Sequence, residues 1–298
     1  MNFNDIIGNE KIKDNLQRII KSNKIGHSYL FVGQEGIGKK IIAKEFARKI
    51  LCLNENSDCK TCKSCMEFEG GNNPDYIEIL PDGKTLKIDQ IREIQKKFYE
   101  KPVICKKKVY IIDDSDLMTK EAQNCLLKTL EEPPQFIVII LIAKDEDKLL
   151  NTIKSRCTRF NFSKLNNNEL RKYAGNELVK DEILIRANGS IKKLIHIQEN
   201  LDTYNKIDEI INEITNKPLL DILKNTEVFS KNKDIIVQIL EYVSIIFYEK
   251  ISENSVKQNK YIQCIKIIEE VKRRIASNSN FDMCIDYLLI KIWEEMNE

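Results

Sequence analysis

A glycine-rich loop after an apolar run constrains this sequence more than any other feature. Residues 33–40 read Gly-Gln-Glu-Gly-Ile-Gly-Lys-Lys and directly follow the apolar run Tyr29–Val32. The Gly-x4-Gly-Lys spacing matches a Walker A loop, in which glycines let backbone N–H groups turn toward phosphate oxygens. A helical pattern follows, and the N-terminus of a helix also attracts anions. The sequence therefore predicts a phosphate-binding loop formed by Gly33, Gly36, Gly38 and Lys39.

The last position of this loop departs from the Walker pattern. Lys40 stands where a Ser or Thr hydroxyl would hold Mg²⁺. An ammonium group cannot ligate a cation, so we expect the positioning of Mg²⁺ and the hydrolysis of ATP to be impaired. The pattern still permits phosphate binding, and it predicts that any ATP bound here is not hydrolysed.

A second apolar run ends in two carboxylates. Val109–Ile112 is followed by Asp113 and Asp114, the order of a Walker B strand. Asp113 would lie near the metal, and Asp114 takes the place of the usual Glu base. Asp is one methylene shorter than Glu, and an error of about 1 Å can lower a rate roughly 100-fold. We assign both aspartates to a degenerate nucleotide site; the alternative is that they only end a strand and cap a helix.

The distribution of apolar runs, glycine and proline predicts the fold class. Ser28–Val32, Tyr76–Leu80, Val109–Ile112 and Phe136–Ile142 alternate with amphipathic stretches, as in a parallel sheet with helices on both faces. Ligands of such sheets bind at the carboxyl ends of the strands, where both Walker-type motifs lie. No glycine follows position 189, and apolar residues recur there at helical spacing. We therefore expect a helical bundle from about residue 205 onward.

Four of the nine cysteines crowd into residues 52–65. Cys52, Cys59, Cys62 and Cys65 have the spacing C-x6-C-x2-C-x2-C. Four thiolates suit a closed tetrahedral Zn²⁺ site with a structural role. An iron–sulfur cluster is the competing interpretation, because thiolates also hold iron.

A short motif, Ser155-Arg156-Cys157, follows the last long apolar run. Arginine is a fixed cation that suits phosphate, and an arginine supplied to a neighbour's nucleotide is an arginine finger. Three residues alone are a weak signal, and a surface salt bridge is the alternative role of Arg156.

In their order and spacing, these motifs resemble the AAA+ clamp-loader family of bacterial DNA polymerase III, and within it the delta-prime class of subunit. The resemblance rests on the phosphate loop, the cysteine insert and the Ser-Arg-Cys motif, together with three further segments: Ile7–Glu10, His27–Phe31 and Leu126–Pro134. It covers residues 1–200 with specific motifs and the remainder in general helical character.

The resemblance implies three domains: a P-loop AAA+ domain at 1–163 with a zinc insert at 52–65, a small helical lid at 164–204, and an all-α collar at 205–298. It implies assembly with gamma/tau and delta subunits into a hetero-pentameric ring. That ring uses ATP to open the sliding clamp and place it on primer–template DNA. In such a ring Arg156 would reach into the ATP site of the neighbouring gamma/tau subunit.

Four positions that active relatives use for hydrolysis carry different residues here: Lys40, Asp114, Ala143–Lys144 and Lys192. The arginine that such a subunit supplies to its neighbour is present, as Arg156. The resemblance therefore implies a stator without catalytic activity of its own, within a holoenzyme that is a nucleotidyltransferase. The alternative is an active gamma/tau-like motor.

Charge and hydropathy limit the remaining classes of protein. The chain carries 48 basic and 46 acidic residues in 298, too balanced for DNA binding by bulk charge alone. The longest apolar run, Phe136–Ala143, is far short of the roughly 20 residues that a membrane span needs. The N-terminus lacks a secretory pattern, so we expect a cytoplasmic protein with no membrane partner. A zinc-based DNA-binding module and a small-molecule kinase fit the motif set less well.

Overall fold

The apolar runs pair as a parallel sheet in a computed structural model that describes residues 2–54, 59–175, 179–253 and 255–297. The strand order is β2-β3-β4-β1-β5, and every described pair is parallel. The strands are β1 (Ser28–Val32), β2 (Tyr76–Ile79), β3 (Lys108–Ile112), β4 (Ile137–Ala143) and β5 (Thr158–Asn161). Four of them confirm the predicted runs to within about one residue at each end.

The sequence analysis missed β5. This strand lies at one edge of the sheet beside β1. Only Phe160 is buried among its four residues, so it lacks the continuous apolar run by which the other strands were predicted. An edge strand has a neighbour on one side only and tolerates polar residues.

The chain divides into two compact units, Met1–Lys193 and Leu194–Glu298. The first unit contains the sheet, and α9 begins in it and continues into the second unit. Its helices are α1 (Glu10–Lys21), α2 (Lys39–Leu51), α3 (Lys63–Glu69), α4 (Ile88–Phe98), α5 (Lys120–Glu131), α6 (Asn151–Lys154), α7 (Asn167–Tyr173), α8 (Asp181–Arg186) and α9 (Ile191–Glu199), with 3₁₀ turns at Phe3–Asp5, Ser115–Leu117 and Glu146–Lys148.

Helices cover both faces of the sheet, as predicted. Alternate residues of a strand point to opposite faces. In β1, Tyr29 and Phe31 pack in one cluster with residues of α1 and α2, whereas Leu30 packs in the other with residues of α4 and α5. The two clusters bury large aliphatic and aromatic side chains on both faces, which fixes the strand register and hence the positions of the loops at the strand ends.

The regular secondary structure among the described residues of the second unit is all helical, which confirms the prediction for this part of the chain. Its core includes Ile239, Val243 and Phe247 at the spacing i, i+4, i+8, the stripe expected of a helix packed on one side. Its elements are α10 (Leu201–Glu213), α11 (Leu219–Leu223), α12 (Thr226–Ser230), α13 (Ile236–Glu253), α14 (Gln258–Ala276) and α15 (Phe281–Asn297), with 3₁₀ turns at Lys233–Ile235 and Ser255–Lys257.

Candidate functional site

The glycine-rich loop connects the end of β1 to the start of α2, as predicted. Gly36 and Gly38 adopt φ of 77° and 93°, conformations that residues with a Cβ rarely adopt. At Gly36 a Cβ would also overlap the hydroxyl of Ser190. At Gly33 it would lie 2.8 Å from the carbonyl oxygen of Phe162. The loop therefore depends on glycine for its backbone shape and for its close neighbours.

Lys39 lies inside the loop. It is only 6% exposed, and its ammonium donates hydrogen bonds to the carbonyl oxygens of Gly33 and Gln34, the latter at 2.7 Å. Burial lowers the pKa of Lys39, although the nearby carboxylates of Asp113 and Asp114 oppose this shift. The loop thus holds a cation where a Walker A lysine neutralises phosphate.

Lys40 is paired with the acidic end of β3. Its Nζ lies 3.1 Å from Oδ2 of Asp113 and also contacts Glu78 on β2. Lys44, one turn further along α2, lies 2.7 Å from the second oxygen of Glu78. Partial burial opposes the charge on Lys40, but the hydrogen bonds that its ammonium donates to Glu78 and Asp113 outweigh the burial and raise the pKa of Lys40. The Lys40 ammonium therefore lies against the carboxylate that a Walker B site offers to its metal.

Sequence analysis did not identify Glu78. Burial raises the pKa of this carboxyl, but hydrogen bonds from Lys40 and Lys44 outweigh the burial, and the net pKa is lowered. The signal available in the sequence was an acidic residue inside the otherwise apolar run Tyr76–Leu80. A charge within a strand of a covered sheet needs a partner, because burial of an unpaired charge is costly.

Lys144, which directly follows β4, forms ion pairs with two further carboxylates at the carboxyl ends of the strands. Its ammonium lies 2.9 Å from Glu35 in the loop and 3.3 Å from Asp114. Lys192 also contacts Glu35. Burial disfavours the charged form of Glu35, but hydrogen bonds from Lys192 and Lys144 outweigh it and lower its pKa to about 2. Lys144 and Lys192 thus both neutralise a carboxylate of the loop itself.

Residues 188–192 lie directly on the glycine-rich loop. The backbone N–H of Ile191 donates to the carbonyl oxygen of Gly36 at 2.9 Å, and the side chain of Gln34 donates to the carbonyl of Asn188 at 3.3 Å. Together with the Lys192–Glu35 pair, these bonds join the start of α9 to the loop. This segment therefore contacts the loop through backbone as well as side chains.

Arg156 lies at the amino ends of the parallel strands, the end of the sheet opposite the glycine-rich loop. It directly precedes Cys157 and β5, and its carbonyl oxygen accepts a hydrogen bond from the hydroxyl of Ser28, the first residue of β1. Its guanidinium lies 2.8 Å from Glu131 and donates to the carbonyl of Thr152 at 2.9 Å. The side chain is 33% exposed. The structure thus brings the predicted loop and Asp113–Asp114 together but places Arg156 away from them.

The four predicted cysteine ligands come together between α2 and α3. The Sγ atoms of Cys52, Cys59, Cys62 and Cys65 all lie within 4.8 Å of one another, and residues 55–58 of the insert lie outside the described residues. A tetrahedral zinc site with Zn–S bonds of about 2.3 Å needs sulfur atoms roughly 3.8 Å apart. The separation of Cys52 and Cys59, 3.4 Å, is close to that value. The cluster therefore fits a four-coordinate metal ion.

A buried arginine supports this cluster from α2. Arg48 is 3% exposed and forms a two-pronged ion pair with Glu45 at 2.8 and 2.9 Å. Its other terminal nitrogen lies 3.7 Å from the sulfur of Cys65. Burial raises the pKa of the Cys65 thiol, and the guanidinium against its sulfur opposes this by stabilising the thiolate form that binds metal. Sequence reasoning missed Arg48 because a basic residue on a helix usually faces solvent.

Sheet topology, the glycine-rich loop and the acidic strand end define the class of protein: a P-loop fold of the AAA+ type. A family model described as "DNA polymerase III, delta subunit" matches residues 8–166, more than half of the chain. The chain belongs to this family, the delta/gamma/tau clamp-loader subunits of DNA polymerase III.

The relatives carry the names of more than one subunit. The chain is 36% identical over 183 residues to "DNA polymerase III subunit tau/gamma" of Haemophilus influenzae, covering 61% of this chain and 26% of that protein. It is 38% identical over 151 residues to "DNA polymerase III subunit delta'" of Bacillus subtilis, covering 50% of this chain and 46% of that protein. The chain thus spans less than half the length of either relative.

A solved structure shares the fold. The crystal structure of a DNA polymerase III gamma subunit-related protein from Thermotoga maritima aligns with a TM-score of 0.53 at 20% identity. The alignment covers 95% of this chain and 99% of that one. Among the described residues, no helix is long and apolar enough to cross a membrane.

Proposed function

We propose that this chain is a stator subunit of the delta-prime type in the DNA polymerase III clamp loader. It supplies Arg156 to the ATP site of a neighbouring gamma/tau subunit while the loader places the sliding clamp on primed DNA. In this proposal the chain hydrolyses no ATP, although its degenerate loop can retain a nucleotide.

The position of Arg156 is the observation that carries the proposal. β1 and β5 are parallel neighbours, the loop follows the end of β1, and Arg156 precedes the start of β5. From Ser28 to Val32, β1 makes four steps of about 3.3 Å, so its two ends lie roughly 13 Å apart. The guanidinium contacts Glu131 at the end of α5. An arginine in this place is suited to meet a phosphate on another molecule and not one in its own loop.

The ion pairs around the loop support the absence of turnover. The residues that replace the hydrolytic parts are each engaged within the chain: Lys40 with Asp113, Lys144 with Asp114, and Lys192 with Glu35. A carboxylate that is already paired with an ammonium is a poor ligand for Mg²⁺ and a poor base for water. The substitutions thus favour a site that does not hydrolyse.

The cysteine cluster is proposed to bind Zn²⁺ with a structural role. Zinc would crosslink the end of α2 to the start of α3. Cys52, Cys59, Cys62 and Cys65 would provide all four ligands, which leaves no coordination position for a substrate. Cys62 already orients the cluster, since its sulfur accepts a hydrogen bond from the N–H of Cys65 at the start of α3.

The remaining parts of the proposal follow from the family. We expect residues 1–163 to act as the AAA+ domain, 164–204 as the lid and 205–298 as the collar. The proposed partners are gamma/tau and delta subunits in a hetero-pentamer, and through it the clamp and primer–template DNA. The proposed location is the cytoplasm.

A second candidate is an active motor of the gamma/tau type. Relatives with that name match this chain as well as the delta' relative does, and Lys39 of the loop is intact. The two candidates differ in whether the chain alone turns over ATP. A motor would do so in the ordinary enzyme range of about 1 s⁻¹ or more.

The first test is ATP turnover by the purified chain with Mg²⁺ and primed DNA, where we expect no rate above background. The second uses a loader reconstituted with gamma/tau and delta. Arg156→Ala should lower its DNA-stimulated ATPase about tenfold or more, because an arginine finger contributes roughly 10³–10⁵ to the rate at the one site that it serves. Arg159→Ala is the matched control, because this nearby arginine on β5 pairs only with Glu146 and Asn161 among the described residues. An unchanged rate with Arg156→Ala in an intact complex would remove the finger role.

A further inference from the structure

We propose that the ammonium of Lys40 is a built-in cation that replaces Mg²⁺, so that the glycine-rich loop binds a nucleoside triphosphate without a divalent metal. This inference deepens the proposed function, because a stator site that retains nucleotide needs the charge of the metal but not its chemistry. The ligand class is a nucleoside triphosphate, recognised through its polyphosphate.

The position of Lys40 carries the first step. In P-loop proteins Mg²⁺ is held between the hydroxyl that follows the Walker lysine and the Walker B aspartate. Lys40 stands in the sequence position of that hydroxyl. Its Nζ lies 3.1 Å from Oδ2 of Asp113, which stands in the position of the Walker B aspartate. The ammonium therefore lies beside the carboxylate where the metal would be ligated.

The charges around Lys40 leave no place for a divalent cation. Lys40 and Lys44 face Glu78 and Asp113, two positive against two negative charges. Mg²⁺ requires near-octahedral oxygen ligands at about 2.0–2.1 Å, and the carboxylate of Asp113 is engaged by Lys40. A divalent cation entering here would also meet the positive charge of Lys40 at close range. The arrangement thus disfavours Mg²⁺ and keeps the ammonium of Lys40 beside Asp113 in its place.

Lys40 retains the capacity to bind phosphate. An ammonium has three N–H donors, and Glu78 and Asp113 accept two of them. No other partner of Lys40 occurs among the described residues, and its side chain is 37% exposed. The third donor can therefore serve a phosphate oxygen next to Lys39, so that two adjacent lysines neutralise the polyphosphate.

The test is ATP binding by the full chain, measured by isothermal titration calorimetry in EDTA and again in Mg²⁺. We expect dissociation constants that agree within about twofold in the two buffers. Lys40→Thr restores the hydroxyl and frees Asp113, and should bind ATP about tenfold or more tightly in Mg²⁺ than in EDTA. Lys44→Thr is the matched control: it removes a Glu78 partner from the same helix face but leaves Lys40 on Asp113, and should remain indifferent to Mg²⁺.

Three outcomes would overturn the inference: wild-type binding that requires Mg²⁺, no ATP binding at millimolar concentration in either buffer, or a Lys40→Thr variant as indifferent to Mg²⁺ as the wild type. The wild-type titrations alone decide the first two even if a variant folds poorly. These results are independent of the loader assay with Arg156→Ala, so the inference can fail while the stator function stands. Turnover of ATP by the isolated chain would instead contradict the stator function.

Discussion

The guanidinium of Arg156 lies 2.8 Å from the carboxylate of Glu131, so the arginine before β5 is paired with the last residue of α5. Both side chains are partly exposed, at 33% and 50%. Exposed ion pairs of this kind contribute about 0–1 kcal/mol to stability. The pair therefore keeps the guanidinium at the amino ends of the strands without binding it tightly. Arg156 can exchange Glu131 for an anion that it binds more strongly, such as a phosphate.

This weak pairing separates the role of Arg156 in assembly from its role within the chain. Glu131→Gln should change the free energy of unfolding by less than about 1 kcal/mol. It should leave the ATPase of the reconstituted loader within about fivefold of the wild-type rate, the factor that corresponds to such an energy. Urea unfolding and the loader assay check the two expectations. A Glu131→Gln loader as inactive as the Arg156→Ala loader would show that Arg156 acts through its pair within the chain.

The cysteine cluster predicts the metal content of the purified protein. We expect one zinc ion per chain by atomic emission, because four thiolates in tetrahedral reach suit Zn²⁺. Cys65→Ser should lose the metal and lower the thermal unfolding midpoint, since the crosslink between α2 and α3 is removed. Cys125→Ser is the control, because this cysteine lies on α5 and contacts Gln95 outside the cluster. Visible absorption typical of an iron–sulfur cluster would contradict the zinc assignment.

Gly36 packs against the start of α9, where a side chain would not fit. Gly83 is a control for the effect of adding a Cβ at a similar backbone conformation. Gly36→Ala and Gly83→Ala both place a Cβ at similar φ, 77° and 75°. At Gly83 the Cβ meets nothing within 4 Å, so we expect only the backbone cost of about 1–2 kcal/mol. At Gly36 it also overlaps Ser190 and Lys192, which should add to that cost and expose the 188–192 segment to protease. Equal losses of stability in urea unfolding would mean that this contact yields without penalty.

The paired state of Glu35 predicts a pH dependence. Lys192 and Lys144 hold its pKa near 2, against an ordinary value of 4.5. A carboxyl with a lowered folded-state pKa stabilises the fold above its unfolded pKa and loses that contribution as the pH falls toward its folded pKa. The stability difference between wild type and Glu35→Gln should therefore be full at pH 6 and shrink between about pH 4.5 and 2. Urea midpoints across this range measure it, with the exposed Glu182→Gln as control; a difference that does not change with pH would show that Glu35 stabilises by contact and not by charge.

Local patterns predicted most of the sheet and the composition of the sites. The apolar runs before Gly33 and Asp113 predicted β1 and β3, because burial on both faces leaves a readable signature in consecutive residues. The parallel strands then brought the loop and the aspartates together at their carboxyl ends. The four cysteines met because they lie within fourteen residues of one another.

Only the tertiary structure decided which charges meet. Lys40 and Glu78 are far apart in the chain, as are Glu35 and Lys192, and each pair forms because β2 and α9 come to the loop. The sequence shows lysines where a hydroxyl and an arginine are expected, but their partners depend on long-range packing. β5 was missed for the same reason, since an edge strand takes its pairing from β1 and not from its own residues.

The amino-acid sequence by itself determined the loop, the thiolate set and the family, since each depends on residues close together in the chain. The fold decided that Arg156 lies at the amino ends of the strands, whereas Lys39 lies at their carboxyl ends. It also decided that Lys40 lies against Asp113. The physical reason is that strand direction and register are collective properties of the packed core. They place side chains from distant segments within hydrogen-bonding distance or a strand's length apart.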